Sequence, residues 1–131
     1  MKRIFILLSG IVFALPLLSQ EITSKADTLR KDAINVYMDA SNYLKEEIPF
    51  INYVRDKKDA DLVIIYTRQR TGSGGREHTY FIEGQHRFEG MLDTLKILTL
   101  PNETKDHIRS RQVKVLKIGL MKYIIKTPLA E

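Results

Sequence analysis

Most of the side chains able to do chemistry fall between Arg68 and Glu89: Arg68, Arg70, Arg76, the run Gly72-Ser73-Gly74-Gly75, and His78 and His86 among Glu77, Glu83 and Glu89. The glycine run suggests a phosphate cradle. A phosphate loop, however, needs Gly-Lys-Ser/Thr and then a helix whose N-terminus receives the anion. Here Arg76-Glu77 and a strand-like alternation follow, which predicts a flexible loop over Arg68 to Arg76. Arg68, Arg70 and Arg76 flank that loop. Guanidinium groups match the geometry of carboxylate and phosphate, so these three form a candidate anion-binding rim, although arginines in a polar loop also serve simply as solvated surface.

On an unbroken strand His78 and His86 share one face, and Glu77, Glu83 and Glu89 the other. A bulge at Gly84 would bring Glu83 beside His86. Neither arrangement makes His-Glu-x-x-His or another metal-ligand spacing, so no metal or cofactor is expected. A small hydrolase or metal-binding protein using His78 and His86 is the weaker alternative. Ser73 and Ser110 belong to no nucleophile motif. Asp56, Asp59 and Asp61 lie beside Lys57-Lys58 and read as a polar loop without calcium-loop spacing. There is no cysteine, which removes thiolate ligands, thiol nucleophiles, disulfides and a lipidated N-terminus together. The six tyrosines are scattered through the elements and form no stacking platform, so nucleic acid is not an expected partner. These readings point away from an enzyme.

The elements that must position these residues are legible as periodicities. Asn35 to Asp39 reads as a strand. Ser41 or Asn42 then caps a helix running through about Glu47, which Pro49 ends. Phe50 to Val54 is a short strand or a further helical turn. Asp61 to Thr67 is an apolar run that predicts a strand buried on both faces. His78 to Phe88 alternates as a long strand, and Leu92 to Leu100 returns as its hairpin partner. From Thr104 to about Lys126, Val113, Leu116, Leu120 and Ile124 share one face of a helix. Gly119 costs that helix about 1 kcal/mol relative to Ala, which implies a close approach to the sheet. The fold class expected is α/β: a single mixed sheet of four to five strands with two helices packed on one face.

The stretches Asn52 to Ile65, Thr67 to Glu77, Gly84-Gln-His-Arg-Phe88, Asp93-Thr-Leu95 and Leu116 to Tyr123 carry a resemblance. The chain, over about Asn35 to Pro128, resembles the amino-terminal region of a family of uncharacterised exported proteins of Gram-negative bacteria. Longer members of that family continue into a region that looks like an outer-membrane β-barrel. The resemblance implies that this chain either lacks the barrel or is a piece of a longer protein. It implies no activity. The element order is also similar to that of small periplasmic α/β domains, such as the amino-terminal domain of the Tol-system propeller protein and the curli secretion lipoprotein, a likeness of fold alone.

The first residues support export. Lys2-Arg3 precede an almost wholly apolar stretch from Ile4 to Leu15, then Pro16 and a small residue at Ser19. We expect a signal peptide over 1–19, a polar leader over 20–33 and a periplasmic α/β domain over 34–128. An uncleaved anchor would be short for a span of about 20 residues. The chain of 131 residues carries 21 basic and 16 acidic side chains, and loss of Lys2 and Arg3 takes its net charge from +5 to +3. The expected protein is a non-catalytic interaction or structural module of the cell envelope, in the periplasm or at the outer membrane. Its expected partners are an envelope protein or its own missing C-terminal barrel, with anionic lipid or glycan as further candidates.

Overall fold

A computed structural model describes residues 31–130. The expected signal peptide and the leader up to residue 30 lie outside the described residues. Five strands form one mixed sheet in the order β2-β1-β3-β4-β5. They are β1 (Asn35–Tyr37), β2 (Asn52–Tyr53), β3 (Leu62–Arg70), β4 (Arg76–Gly84) and β5 (Leu92–Thr99). The first three pair in parallel, with β1 between β2 and β3, and β3-β4-β5 form an antiparallel meander. This is the expected α/β class with a mixed sheet.

Two helices cover one face. Helix α1 (Asn42–Glu47) starts at Ser41, whose hydroxyl accepts from the Leu44 amide. The Tyr53 hydroxyl, on β2, donates to the carbonyls of Leu44 and Ile48 and ties α1 to the sheet. Burial pushes the pKa of this phenol up to about 12. Helix α2 (Lys105–Ile124) is capped by Thr104 and buries Val113, Leu116, Leu120 and Tyr123. These pack on Val36, Leu62, Ile64, Tyr80, Ile82 and Ile97, each worth about 1.5–3 kcal/mol when fully buried. A Cβ built on Gly119 would sit 2.5 Å from Leu95 Cδ1, so the expected close approach of helix to sheet is present. At the far end of α2, Asp93 accepts from Tyr123 and Lys122. Burial alone would raise the pKa of Asp93, but these two donors outweigh it and hold the carboxyl below its ordinary value.

Three sequence expectations need correction. The β3 strand is buried on both faces only over Leu62 to Ile64, and Ile65 is 48% exposed. The reason is that β1 contributes only Val36 and Tyr37 to its pairing with β3, so the second half of β3 has no neighbour on that side. The expected loop at Arg68–Arg76 shrinks to Thr71–Gly75, because the β3-β4 ladder runs on to Arg70 opposite Arg76. Those arginines are polar because the hairpin overhangs the core, not because the backbone is irregular. Finally, Gly84 makes no bulge. The ladders of β4 stay in register to its end, where a Cβ on Gly84 would lie 2.0 Å from the Phe88 carbonyl oxygen. The chain then leaves the sheet through a short 3-10 turn, His86–Phe88.

Candidate functional site

The overhanging half of the hairpin and the first turns of α2 enclose a recess of about 200 Å³. Tyr66, Arg68, Arg76 and His78 come from the sheet, and Lys105, Ile108, Arg109 and Gln112 from the helix. The register explains the first group: His78 lies directly opposite Arg68, and Tyr80 directly opposite Tyr66, so all point to the helix side. The helix group follows from spacing. Lys105, Arg109 and Gln112 continue toward the N-terminus the row of Leu116 and Leu120. They point where core residues point, but beyond the end of the apolar core.

Four cations therefore surround one small opening. Arg109 lies 3.8 Å from Asp106 and over the Tyr43 ring. Arg68, Arg76 and Lys105 form no ion pair with a carboxylate among the described residues. Arg70 stands directly opposite Arg76, an arrangement of like charges that destabilises a ladder by roughly 0.2–1 kcal/mol. The positive end of α2 adds to the same field.

The floor of the recess is His78, only 4% exposed. Its Nδ1 lies 2.7 Å from the Tyr66 hydroxyl and 3.1 Å from the Gln112 amide nitrogen. The amide nitrogen can only donate, which makes Nδ1 an acceptor and assigns the ring proton to Nε2. Nε2 is buried with no hydrogen-bond partner among the described residues. Burial, then Arg68, Arg76 and Arg111, lower the pKa of His78, and Glu103 opposes them. Glu103 itself is held by Arg111 at 2.8 and 3.1 Å. The ring is thus kept neutral first by its burial and then by surrounding positive charge.

Of the expected rim, Arg68 and Arg76 line the recess, while Arg70 sits beyond it at the tip of the hairpin. The glycine run is a tight turn and not a cradle. The Thr71 amide donates to the Gly75 carbonyl and the Gly74 amide to that of Thr71. Gly74 adopts φ +84°, a left-handed conformation that glycine tolerates best. His86 does not join His78. It lies past the far end of β4, and the six residue steps from His78 to Gly84 alone cover about 20 Å of strand. Its Nε2 meets the Lys58 carbonyl at 2.9 Å, and its backbone holds φ 49° in the turn. Glu77 faces the opposite side of the sheet and pairs with Lys96 at 3.2 Å. Among the described residues, no group of three acidic, histidine or cysteine side chains could hold a metal ion.

The aspartates also have structural roles. Asp56 caps the 3-10 turn through the Lys58 amide, and Asp61 accepts from the Asn35 amide and from Arg87. A larger cleft of about 380 Å³ runs beside β2 along Lys45, Pro49, Ile51, Asn52 and Tyr53. It contains one cation, Lys45, and the Tyr53 hydroxyl is already committed to the carbonyls of Leu44 and Ile48, so its size does not make it the better site. Among the described residues, no helix is long and apolar enough to cross a membrane.

Lys105, Arg109 and Gln112 do not stand out in the sequence as site residues. The signal for them was polar side chains standing at positions that continue a buried helical row. Comparison with known proteins adds no assignment: no family model, no curated protein and no solved structure matches the chain.

Proposed function

We propose that this chain is an exported, non-catalytic interaction domain of the cell envelope that grips an anionic group of its partner between the β3-β4 hairpin and α2. The observation that carries this reading is the convergence of Arg68, Arg76 and Lys105, all without acidic partners among the described residues, over a buried neutral histidine. Like charges gathered this way cost stability, and an incoming carboxylate or phosphate offsets the cost. The volume of about 200 Å³ is below the roughly 300–1,000 Å³ of pockets that enclose whole ligands. It suits one charged group projecting from a larger partner, such as another envelope protein or the barrel that follows this region in longer members of the resembled family. Export rests on the apolar stretch after Lys2-Arg3. The hydrolase or metal alternative is not favoured, since His78 lies within β4 near its start and His86 lies past its far end, in the 3-10 turn.

Titration of inorganic phosphate into the labelled protein, followed by NMR, tests the site. Phosphate shifts the Gln112 side-chain amide and the His78 ring. Charged hydrogen bonds contribute about 1.5–3 kcal/mol each, so R68A/R76A weakens binding at least about tenfold, while R70A changes it less than about twofold. Equal affinity in wild type and R68A/R76A refutes the site.

A further inference from the structure

We infer that the outer face of α2 is a docking surface for an anionic lipid layer. Ile118, Met121 and Ile125 are 65%, 51% and 61% exposed, and they stand three and four residues apart. That spacing puts them in one row, on the side of the helix opposite Leu116 and Leu120. The outward row of a surface helix is ordinarily polar. Here it is polar only in its first half, at His107, Ser110, Arg111 and Lys114, and becomes aliphatic after that.

Charge selects the occupant. Lys105 and Arg109 line the recess, and from Ser110 to Ile124 helix α2 holds four further basic residues, Arg111, Lys114, Lys117 and Lys122, and no acidic one. Lys114, Lys117, Lys122 and Lys126 border the aliphatic row. Lys117 and Lys122 are bound to Glu47 and Asp93, and Lys126 reaches Met91, while Lys114 forms no ion pair among the described residues. A second copy of this chain would set these lysines against one another. A folded acidic partner would need a groove shaped to a convex helix. A lipid layer needs no such match: aliphatic side chains enter between headgroups, and lysine stems carry their charges to the phosphates. The contact is small, so docking is weak, reversible and sensitive to salt. The recess opens on the other side of α2 and stays free.

The test is co-sedimentation with vesicles of equal parts phosphatidylglycerol and phosphatidylcholine, compared with phosphatidylcholine alone. The protein begins at Gln20, which removes the apolar stretch after Lys2-Arg3. Every buried residue of the described core lies between Ala33 and Thr127, so the shortened chain keeps its fold. Ile118 and Ile125 point outward, and circular dichroism checks that I118S/I125S is folded. Binding is expected to the anionic vesicles only. It should fall about fivefold or more in I118S/I125S, fall again in K114E, and persist in R68A/R76A. No binding to anionic vesicles, undiminished binding of I118S/I125S, or loss confined to R68A/R76A each overturns the inference. The last result would assign lipid phosphate to the recess instead.

Discussion

The two ends of β4 have one histidine each, His78 within the strand and His86 two residues past it, yet they are built for different purposes. At the Gly84 end charges are neutralised: Asp61 holds Arg87, and His86 spends its ring nitrogen on the Lys58 carbonyl. At the Arg76 end, among the described residues, three cations stand without ion pairs around a histidine whose Nε2 has no hydrogen-bond partner. The first end closes a turn. The second is unsatisfied, and buried polar groups left unsatisfied cost enough that natural folds seldom keep them without a use. The difference shows that the kind of residue says little about its role, while the charge balance around it says much.

The comparison can be broken experimentally. The largest effect is expected at the closed end. Gly84→Ala drives a Cβ into the Phe88 carbonyl, which cannot move without opening the turn. We expect a loss of about 3 kcal/mol and a fall in melting temperature of more than about 10 °C. An unchanged melting temperature would show that the turn is not the rigid closure described.

The next effect reverses sign at the open end. Arg76→Thr removes the repulsion with Arg70 and stabilises the free protein by about 0.5 kcal/mol, while weakening phosphate binding. Chemical denaturation and titration on the same sample check the trade. A variant that loses both stability and binding would argue that Arg76 is merely structural.

A pH effect follows from His78. Its pKa is lowered in the folded state, so the unfolded chain takes up the proton first as pH falls. Stability is therefore complete above the ordinary histidine value and declines as pH drops through it. His78→Gln flattens this part of the profile. Asp93, also lowered, acts in a more acidic window: its contribution is present above the ordinary carboxylate value and disappears as pH falls through its own.

The smallest effect is expected at His86. Asn accepts a left-handed φ more readily but gives up the bond to Lys58, so His86→Asn changes stability by less than about 0.5 kcal/mol and leaves phosphate binding unaltered. Any loss of binding would mean that the two ends are coupled.

Much of this architecture was legible before the structure. The apolar row Val113, Leu116 and Leu120 follows from helical spacing, the start of the helix at Thr104 from where that pattern begins, and the close approach at Gly119 from the cost of a glycine inside a helix. The boundaries at the hairpin were not legible, because Arg68-Gln69-Arg70 is polar and glycines follow. Local composition reports exposure, whereas pairing with β4 is decided by a partner several residues away. Alternation that continues past Gly84 predicts His86 as a strand residue, and nothing local shows that the Phe88 carbonyl blocks the ladder. Half of the recess was found, Arg68 and Arg76. The other half was hidden in a helix whose polar inward positions make sense only once the sheet is seen to overhang its core.

The most direct measurement is an NMR titration of the His78 ring with and without saturating phosphate. Without phosphate, burial and the arginines keep its midpoint below 6.5. With phosphate bound, the cations are neutralised and the midpoint rises, and in R68A/R76A it no longer responds to phosphate at all. A midpoint unmoved by phosphate in the wild-type protein would contradict an anion site over this histidine.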